Sequence, residues 1–428
     1  MRHHPEHLYS DSDVTRARRV SALDLGTTKV CCALADVDLT PNGTLELRVL
    51  GVGMAASRGL RKGAVVDIER AAEGVAEAVD ACERIAGVPI QSAVVGLAGG
   101  HIQSQNSRGV VAVAAGHREV RTDDITRAVE AARAVSVPSD REILHVLPRQ
   151  FTVDGQEGVR EAMGMAGTRL EVETHIVTGA TTAIQNVVKV MHEAGLDVDD
   201  LVLQVLASAE AVVTEDELER GVVIADIGGG TTDVAVFSNG AIVHTAVIPV
   251  GGSHVTGDLA VGLRCDLDTA EVVKRSYGHS LQLTVPADAT VTLTPMGYDE
   301  PVAVPQRYLA EVIGPRAREM ATLIAMEIER SGATVLPGGI VLTGGGALLR
   351  GMAEMAQQVT DLPVRMAAPT GTMGMDDELH GPHCATTVGL LRWAARSRAR
   401  SAVRSNGHGG NGHHAMSERF SRWLRELF

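Results

Sequence analysis

The chain has 428 residues, 45% of them apolar, 21% charged and 2% aromatic, with a net charge of −14. That length exceeds what one hydrophobic core usually supports, so two lobes or more are expected, with cores built from Val, Ile, Leu, Ala and Met. The acidic balance excludes a general nucleic-acid binder, and with no run of 18 apolar residues any membrane contact must be peripheral.

In chain order, residues 1–18 are polar, lack a hydrophobic period and read as disordered; the start, MRHHPEHLYS, has no apolar signal segment. From Val20, VSALDLGTTKVCCALADV reads as strand, tight turn, strand. Ile68, Ala72, Val75, Ala76, Val79 and Cys82 recur at helical spacing through 69–86, and Ser92–Leu97 reads as a strand. Residues 104–176 have another texture: a strand, a helix capped by Thr122, then two strand-like stretches, together a small inserted α+β module. The opening then recurs about 200 residues later as GVVIADIGGGTTDVAVFSNGAIV, with Asp226 in the place of Asp24 and Thr231-Thr232 in that of Thr27-Thr28. Such a duplication implies two similar α/β lobes facing each other. The first would comprise 19–103, 177–206 and 374–396, and the second 207–373, with 251–320 as its smaller subdomain. Later, GGIVLTGGGALLRGM is a strand that runs through three glycines into a helix. Residues 397–415 read as a flexible linker, and 416–428 as a separate element. The five cysteines, Cys31, Cys32, Cys82, Cys265 and Cys384, read as buried thiols, and the 16 histidines have no metal-ligand spacing.

The two Gly/Thr turns carry the chemistry. Glycine lets the backbone approach an anion, successive N–H groups can aim at one phosphate, Thr hydroxyls add donors, and a neighbouring carboxylate can hold Mg through its waters. Asp24, Gly26, Thr27 and Thr28 form one such set; Asp226, Gly228, Gly229, Gly230, Thr231 and Thr232 form the other. A third cluster, Gly344, Gly345 and Gly346, could face phosphate or leave room for a base. No P-loop and no dinucleotide-binding GxGxxG follows a strand.

In this order the three clusters resemble the phosphate-1, phosphate-2 and adenosine motifs of the actin and heat-shock-chaperone ATPase superfamily. Within it the chain closely resembles the bacterial FtsA cell-division family, over residues 20–396 and the tail. VVGLAGGHIQSQNSRGVV, VLPRQFTVDGQEGV, GMAGTRLEVETHIVTG and LASAEAVVTEDELERG carry it. The resemblance implies an α/β, actin-like two-lobed fold with duplicated ribonuclease-H-like subdomains, and ATP and Mg in the cleft. Asp24 and Asp226 would organise Mg. Lys29 would touch phosphate or face solvent. Glu271 and Lys274 would lie along the ribose and base, with Gly345 and Gly346 against the adenosine. Gln204 would position a water or cap a buried strand, so at most a slow ATPase is expected. The implied partners are the C-terminal peptide of the division GTPase FtsZ, further copies of this chain and later division proteins. The alternative readings are an actin-like pilus-assembly scaffold and a small-molecule kinase of the same superfamily.

From Arg392 onward the chain has eight Arg and two Glu, a net of +6, which leaves −20 for the rest. In MSERFSRWLRELF, Phe420, Trp423, Leu424, Leu427 and Phe428 line one helical face, and Arg419, Arg422 and Arg425 flank it. That is the composition of an interfacial helix seeking an anionic membrane surface, which the resemblance implies is the cytoplasmic face of the inner membrane at the septum. Docking on the body or on a partner is the alternative.

Overall fold

The computed structural model describes residues 19–39, 45–114, 118–134, 137–374 and 376–405. The first elements are strands β1 (Arg19–Leu25), β2 (Lys29–Leu39) and β3 (Leu45–Ala56), the small hairpin β4 (Leu60–Arg61) and β5 (Ala64–Val65), helix α1 (Ile68–Ala86) and strand β6 (Ser92–Leu97). There follow β7 (Ile102–Ala112), α2 (Thr122–Arg133), β8 (Arg141–Val153), β9 (Gln156–Val159) and β10 (Arg169–Ala180). The chain returns through α3 (Thr181–Glu193), β11 (Asp197–Leu203) and α4 (Gln204–Val212). Then come α5 (Glu215–Arg220), β12 (Val222–Ile227), β13 (Thr232–Ser238), β14 (Ala241–Ile248), α6 (Gly252–Leu263), α7 (Leu267–Tyr277), β15 (Thr290–Leu293), β16 (Val302–Pro305) and α8 (Gln306–Ser331). The last are β17 (Ile340–Thr343), α9 (Met352–Thr360), β18 (Val364–Met366), β19 (Thr372–Gly374), α10 (Asp376–Leu379) and α11 (Ala385–Ser405).

The duplication is visible in the strand order. Among the described residues one sheet runs β11-β6-β1-β2-β3-β19 and the other β18-β17-β12-β13-β14. In each, three antiparallel strands are followed by two parallel ones, and β1 and β12 hold the same place. Because neighbouring strand residues point to opposite faces, β1 and β2 feed two cores. Leu23, Val30 and Cys32 pack with α1 and α3; Ala22, Cys31 and Ala33 pack with α4 and α11. That second core continues into β12, β13 and β17 through Ile224, Ala235 and Val341, so α4 and α11 lie between the two sheets. Three further helices of the second lobe, α6, α7 and α8, cover the other face of its sheet through Leu259, Val273 and Ile313. All five cysteines are buried and free.

β7, β10, β8 and β9 form a sheet of their own, with α2 packed on it through Ile125, Ala128 and Val129. Its helix starts differently from the expectation. Thr122 is already helical, and it is the Asp124 carboxylate that reaches back to accept from the Arg121 N–H (3.0 Å). The other difference lies at the end of the body. Helix α11 continues to Ser405, past the boundary at 396 where a linker was expected. Near that boundary two ion pairs hold it, Arg396 with Glu210 (2.7 Å) and Arg398 with Asp199 (3.8 Å). Residues 1–18 and the amphipathic segment 416–428 lie outside the described residues.

Candidate nucleotide-binding site

β1 turns into β2 through Gly26, whose N–H donates to Lys29 O (3.0 Å). β12 turns into β13 through Gly228, whose N–H donates to Thr231 O (2.9 Å). The two turns are therefore the same structure, and their register corrects the sequence reading. Leu25 pairs with Val30 and Ile227 with Thr232, so Thr27-Thr28 corresponds to Gly229-Gly230, and Thr231-Thr232 corresponds to Lys29-Val30. The turns face each other across the cleft. A Cβ on Gly229 would fall 2.4 Å from Thr28 Cγ2, and one on Gly230 would fall 2.6 Å from Thr27 Oγ1. The bulk of one loop thus fills the space that the other loop's glycines leave free.

Each turn has a buried carboxylate behind it. Asp24 Oδ1 accepts from Gln204 Nε2 (3.0 Å). Gln204 is the first residue of α4, not the end of a strand, and it also reaches Leu25 O (3.4 Å). Asp226 Oδ2 accepts from Ser208 (2.6 Å) and Thr386 (3.1 Å). Burial pushes Asp24 up to about 7, helped by Asp226 and opposed by Lys29; burial raises Asp226 as well, against its two hydroxyl donors. Lys29 points inward, its amine donating to His383 O (2.5 Å). Burial opposes its charge, but Asp24 together with Cys31, Cys384 and Asp226 outweighs this and holds its pKa above the usual value.

The third glycine cluster closes the site from the second lobe. Gly344 has φ 84, and a Cβ there would lie 2.3 Å from Asp226 Oδ1; one on Gly346 would lie 2.3 Å from Ile227 Cγ2. Gly345 has only His383 nearby, at 3.8 Å. Beside this loop, Lys274 donates to Glu271 (2.6 Å), Thr256 (2.8 Å) and Gly252 O (3.1 Å). Burial works against the charge of Glu271, but its bonds from Lys274 and Thr256 prevail and hold its carboxyl below the usual range.

Sequence reasoning missed several members. Asp233 pairs across the ladder with Asp226, and burial with the nearby Asp226 charge pushes it up to about 8. Its position two residues after Thr231 in a Gly-rich turn was a readable signal. Gly251 allows the α6 N-terminus to dock: Gly252 N–H donates to Gly228 O (2.9 Å) and Ser253 N–H to Gly229 O (2.8 Å). Ser208 and Thr386 gave no signal, because only the tertiary fold brings α4 and α11 to Asp226.

The donor set suits a hydrated divalent cation. Three carboxylates are buried together at a cost that a cation would offset, and Asp233 Oδ1 is buried without a hydrogen-bond partner. Among the described residues no three acidic, His or Cys side chains converge to ligate an ion directly, so an ion held here would keep water in its shell.

The family model described as cell division protein FtsA matches residues 223–389, and the model of the SHS2 domain inserted in FtsA matches 99–178. The cell division protein FtsA of Pseudomonas aeruginosa is 42% identical over 422 residues, covering 97% of this chain and 100% of that protein. This chain belongs to the FtsA family of cell-division proteins. The FtsA of Neisseria meningitidis is 40% identical, covering 96% of this chain and 99% of its own length. Two solved structures share the fold. A chain of the PilM–PilN type IV pilus biogenesis complex has a TM-score of 0.63 at 18% identity, covering 88% of this chain and 98% of its own. MreB5 of Spiroplasma citri bound to ADP has 0.52 at 17%, covering 92% and 99%. The fold is the actin-like two-lobed one, and the SHS2 domain of the FtsA family takes in β7 to β10.

Proposed function

We propose that this FtsA-family chain binds ATP with Mg between its lobes, assembles with copies of itself, tethers FtsZ filaments to the cytoplasmic face of the inner membrane and recruits later division proteins. The observation that carries the ATP reading is the interlocking of the 26–28 and 228–230 turns in front of buried Asp24 and Asp226. Phosphates would take the turn N–H groups and Thr hydroxyls, and the two aspartates would hold the water shell of Mg. The bound metal would neutralise phosphate charge. Gln204, fixed on Asp24, has an amide that can orient water but is a weak base, which fits slow turnover. The relative with ADP in the same fold supports a nucleotide in this cleft.

The smaller subdomain of the second lobe exposes Val261 (81%), Leu267 (61%), Val272 (63%) and Met296 (63%), apolar side chains on which the FtsZ peptide would dock. Among the described residues no helix is long and apolar enough to cross a membrane, so membrane contact falls to Phe420, Trp423, Leu424, Leu427 and Phe428. Each buried large apolar side chain contributes about 1.5–3 kcal/mol, against a backbone ordering cost of about 1–2 kcal/mol per residue. One tail therefore binds reversibly, and a filament of tails binds firmly. Co-sedimentation with anionic vesicles tests this: the full chain should pellet, more so with ATP, and Trp423→Glu should stay in solution. Equal behaviour of the two proteins would sink the membrane-anchor reading.

A further inference from the structure

Positive charge on this chain is carried overwhelmingly by arginine: 39 basic residues include only four lysines, Lys29, Lys62, Lys189 and Lys274. Lys189 lies on the outer face of α3 and pairs with Glu193 (3.8 Å). The other three gather around the cleft. Lysine differs from arginine in offering a compact ammonium on a flexible four-carbon stem, suited to phosphate as a point charge. Two of the three are already engaged, Lys29 by His383 O and Lys274 by Glu271, Thr256 and Gly252 O. Lys62 is exposed and, among the described residues, makes no hydrogen bond or ion pair.

Its position is fixed by the β4–β5 hairpin, whose two-residue turn is Lys62-Gly63. This turn sits where the two phosphate loops meet. Gly63 N–H donates to Thr27 Oγ1 (3.1 Å) in one loop, and a Cβ on Gly230 in the other would lie 3.1 Å from Lys62 Cα. On its far side the turn is wedged against Gly99: a Cβ on Gly63 would meet Gly99 Cα at 2.7 Å, so the hairpin cannot retreat from the loops. Lys62 has φ 51. Asn, Asp or Gly normally takes this left-handed place in a two-residue hairpin, so a lysine there runs against local preference. The base end of the cleft, at Gly346, Glu271 and Lys274, lies on a different loop and helix.

We infer that Lys62 is a phosphate-binding residue, delivered by the β4–β5 turn to the terminal phosphate of the nucleotide held by the two interlocked loops. This rests on the ATP reading above. Substitution separates charge from shape: Lys62→Asn keeps a residue at ease in the left-handed turn and removes the ammonium, whereas Lys62→Arg keeps the positive charge. ATP and ADP affinities of the full-length parent and both variants would be measured by equilibrium titration with Mg present. Lys62→Asn should lose roughly tenfold or more in ATP affinity, the scale of one charge-assisted hydrogen bond. Its ADP affinity should stay close to the parent's, which also verifies the fold, and Lys62→Arg should recover part of the loss. Unchanged ATP affinity in Lys62→Asn, or equal losses for ATP and ADP, would overturn the assignment. A parent that binds neither nucleotide would instead overturn the ATP reading itself.

Discussion

At the residue scale the cleft depends on where side chains are missing. Gly230 is buried between Thr27 and the Lys62 backbone, and a Cβ would meet the first at 2.6 Å and the second at 3.1 Å. Thr27 can rotate away, but the backbone of a two-residue turn cannot. Gly230→Ala should therefore push the phosphate loops apart while the cores under β12 and β13 stay intact. The expected result is a melting transition close to the parent's with ATP affinity down at least tenfold, read by thermal denaturation and nucleotide titration; normal affinity would mean the loops are not the clamp. The glycine clusters were legible in the sequence because backbone approach leaves few alternatives to Gly. Which threonine faces which glycine was not, because the two turns differ in composition and only hydrogen-bonded register aligns them.

At the element scale the same economy of side chains sets helix packing. Gly389 in α11 meets α4 so closely that a Cβ would fall 1.7 Å from Ala207 O, whereas Gly257 in α6 has nothing within 4 Å. Both are helical glycines, so intrinsic propensity favours alanine at each by about 0.8–1 kcal/mol. Contact reverses the sign at one of them. Gly257→Ala should stabilise by about 0.5–1 kcal/mol, and Gly389→Ala should destabilise by about 1–3 kcal/mol as α11 is forced off α4. Urea unfolding with an unchanged slope checks both; a neutral Gly389→Ala would show that the two helices can separate freely. Periodicity located α1 and the duplicated hairpins, because their buried faces are apolar. It lost α11 after residue 396, where Arg396 and Arg398 are held by Glu210 and Asp199, acidic residues distant in sequence. It also passed over the β4–β5 hairpin, two residues per strand being too short for any period.

At the scale of the whole molecule the inserted sheet touches both lobes, and a buried histidine marks each contact. On the first lobe, His145 in β8 accepts from the Leu203 N–H (3.0 Å) and stacks edge-on against Trp393, 5.6 Å away. On the second, His175 in β10 bonds Asn106 (2.7 Å) and Thr245 Oγ1 (2.8 Å), with Ser104 donating to Thr245 O (2.8 Å). Burial lowers His145 to about 4 against a pull from Asp200, and burial with nearby His244, Arg149 and His145 lowers His175 to about 3. Both are neutral when folded, and each takes up a proton at higher pH once unfolded, so the unfolded chain binds more protons. Their contribution is complete above the unfolded value of 6.5 and is lost as pH falls through 4 and 3. Asp24 and Asp233, raised to about 7 and about 8, act with the opposite sign, so the acid-side slope must be compared with a variant and not read alone. Replacing both histidines by glutamine removes the titration. The double variant should lose less of its melting temperature than the parent between pH 7 and pH 4, and coincident slopes would mean the histidines do not set the acid sensitivity. Hydrogen exchange locates the event: in the parent, β7, β10 and β14 should lose protection on acidification before β12 does, because His175 bonds Asn106 and Thr245 where these three strands meet, while β12 has neither histidine among its contacts.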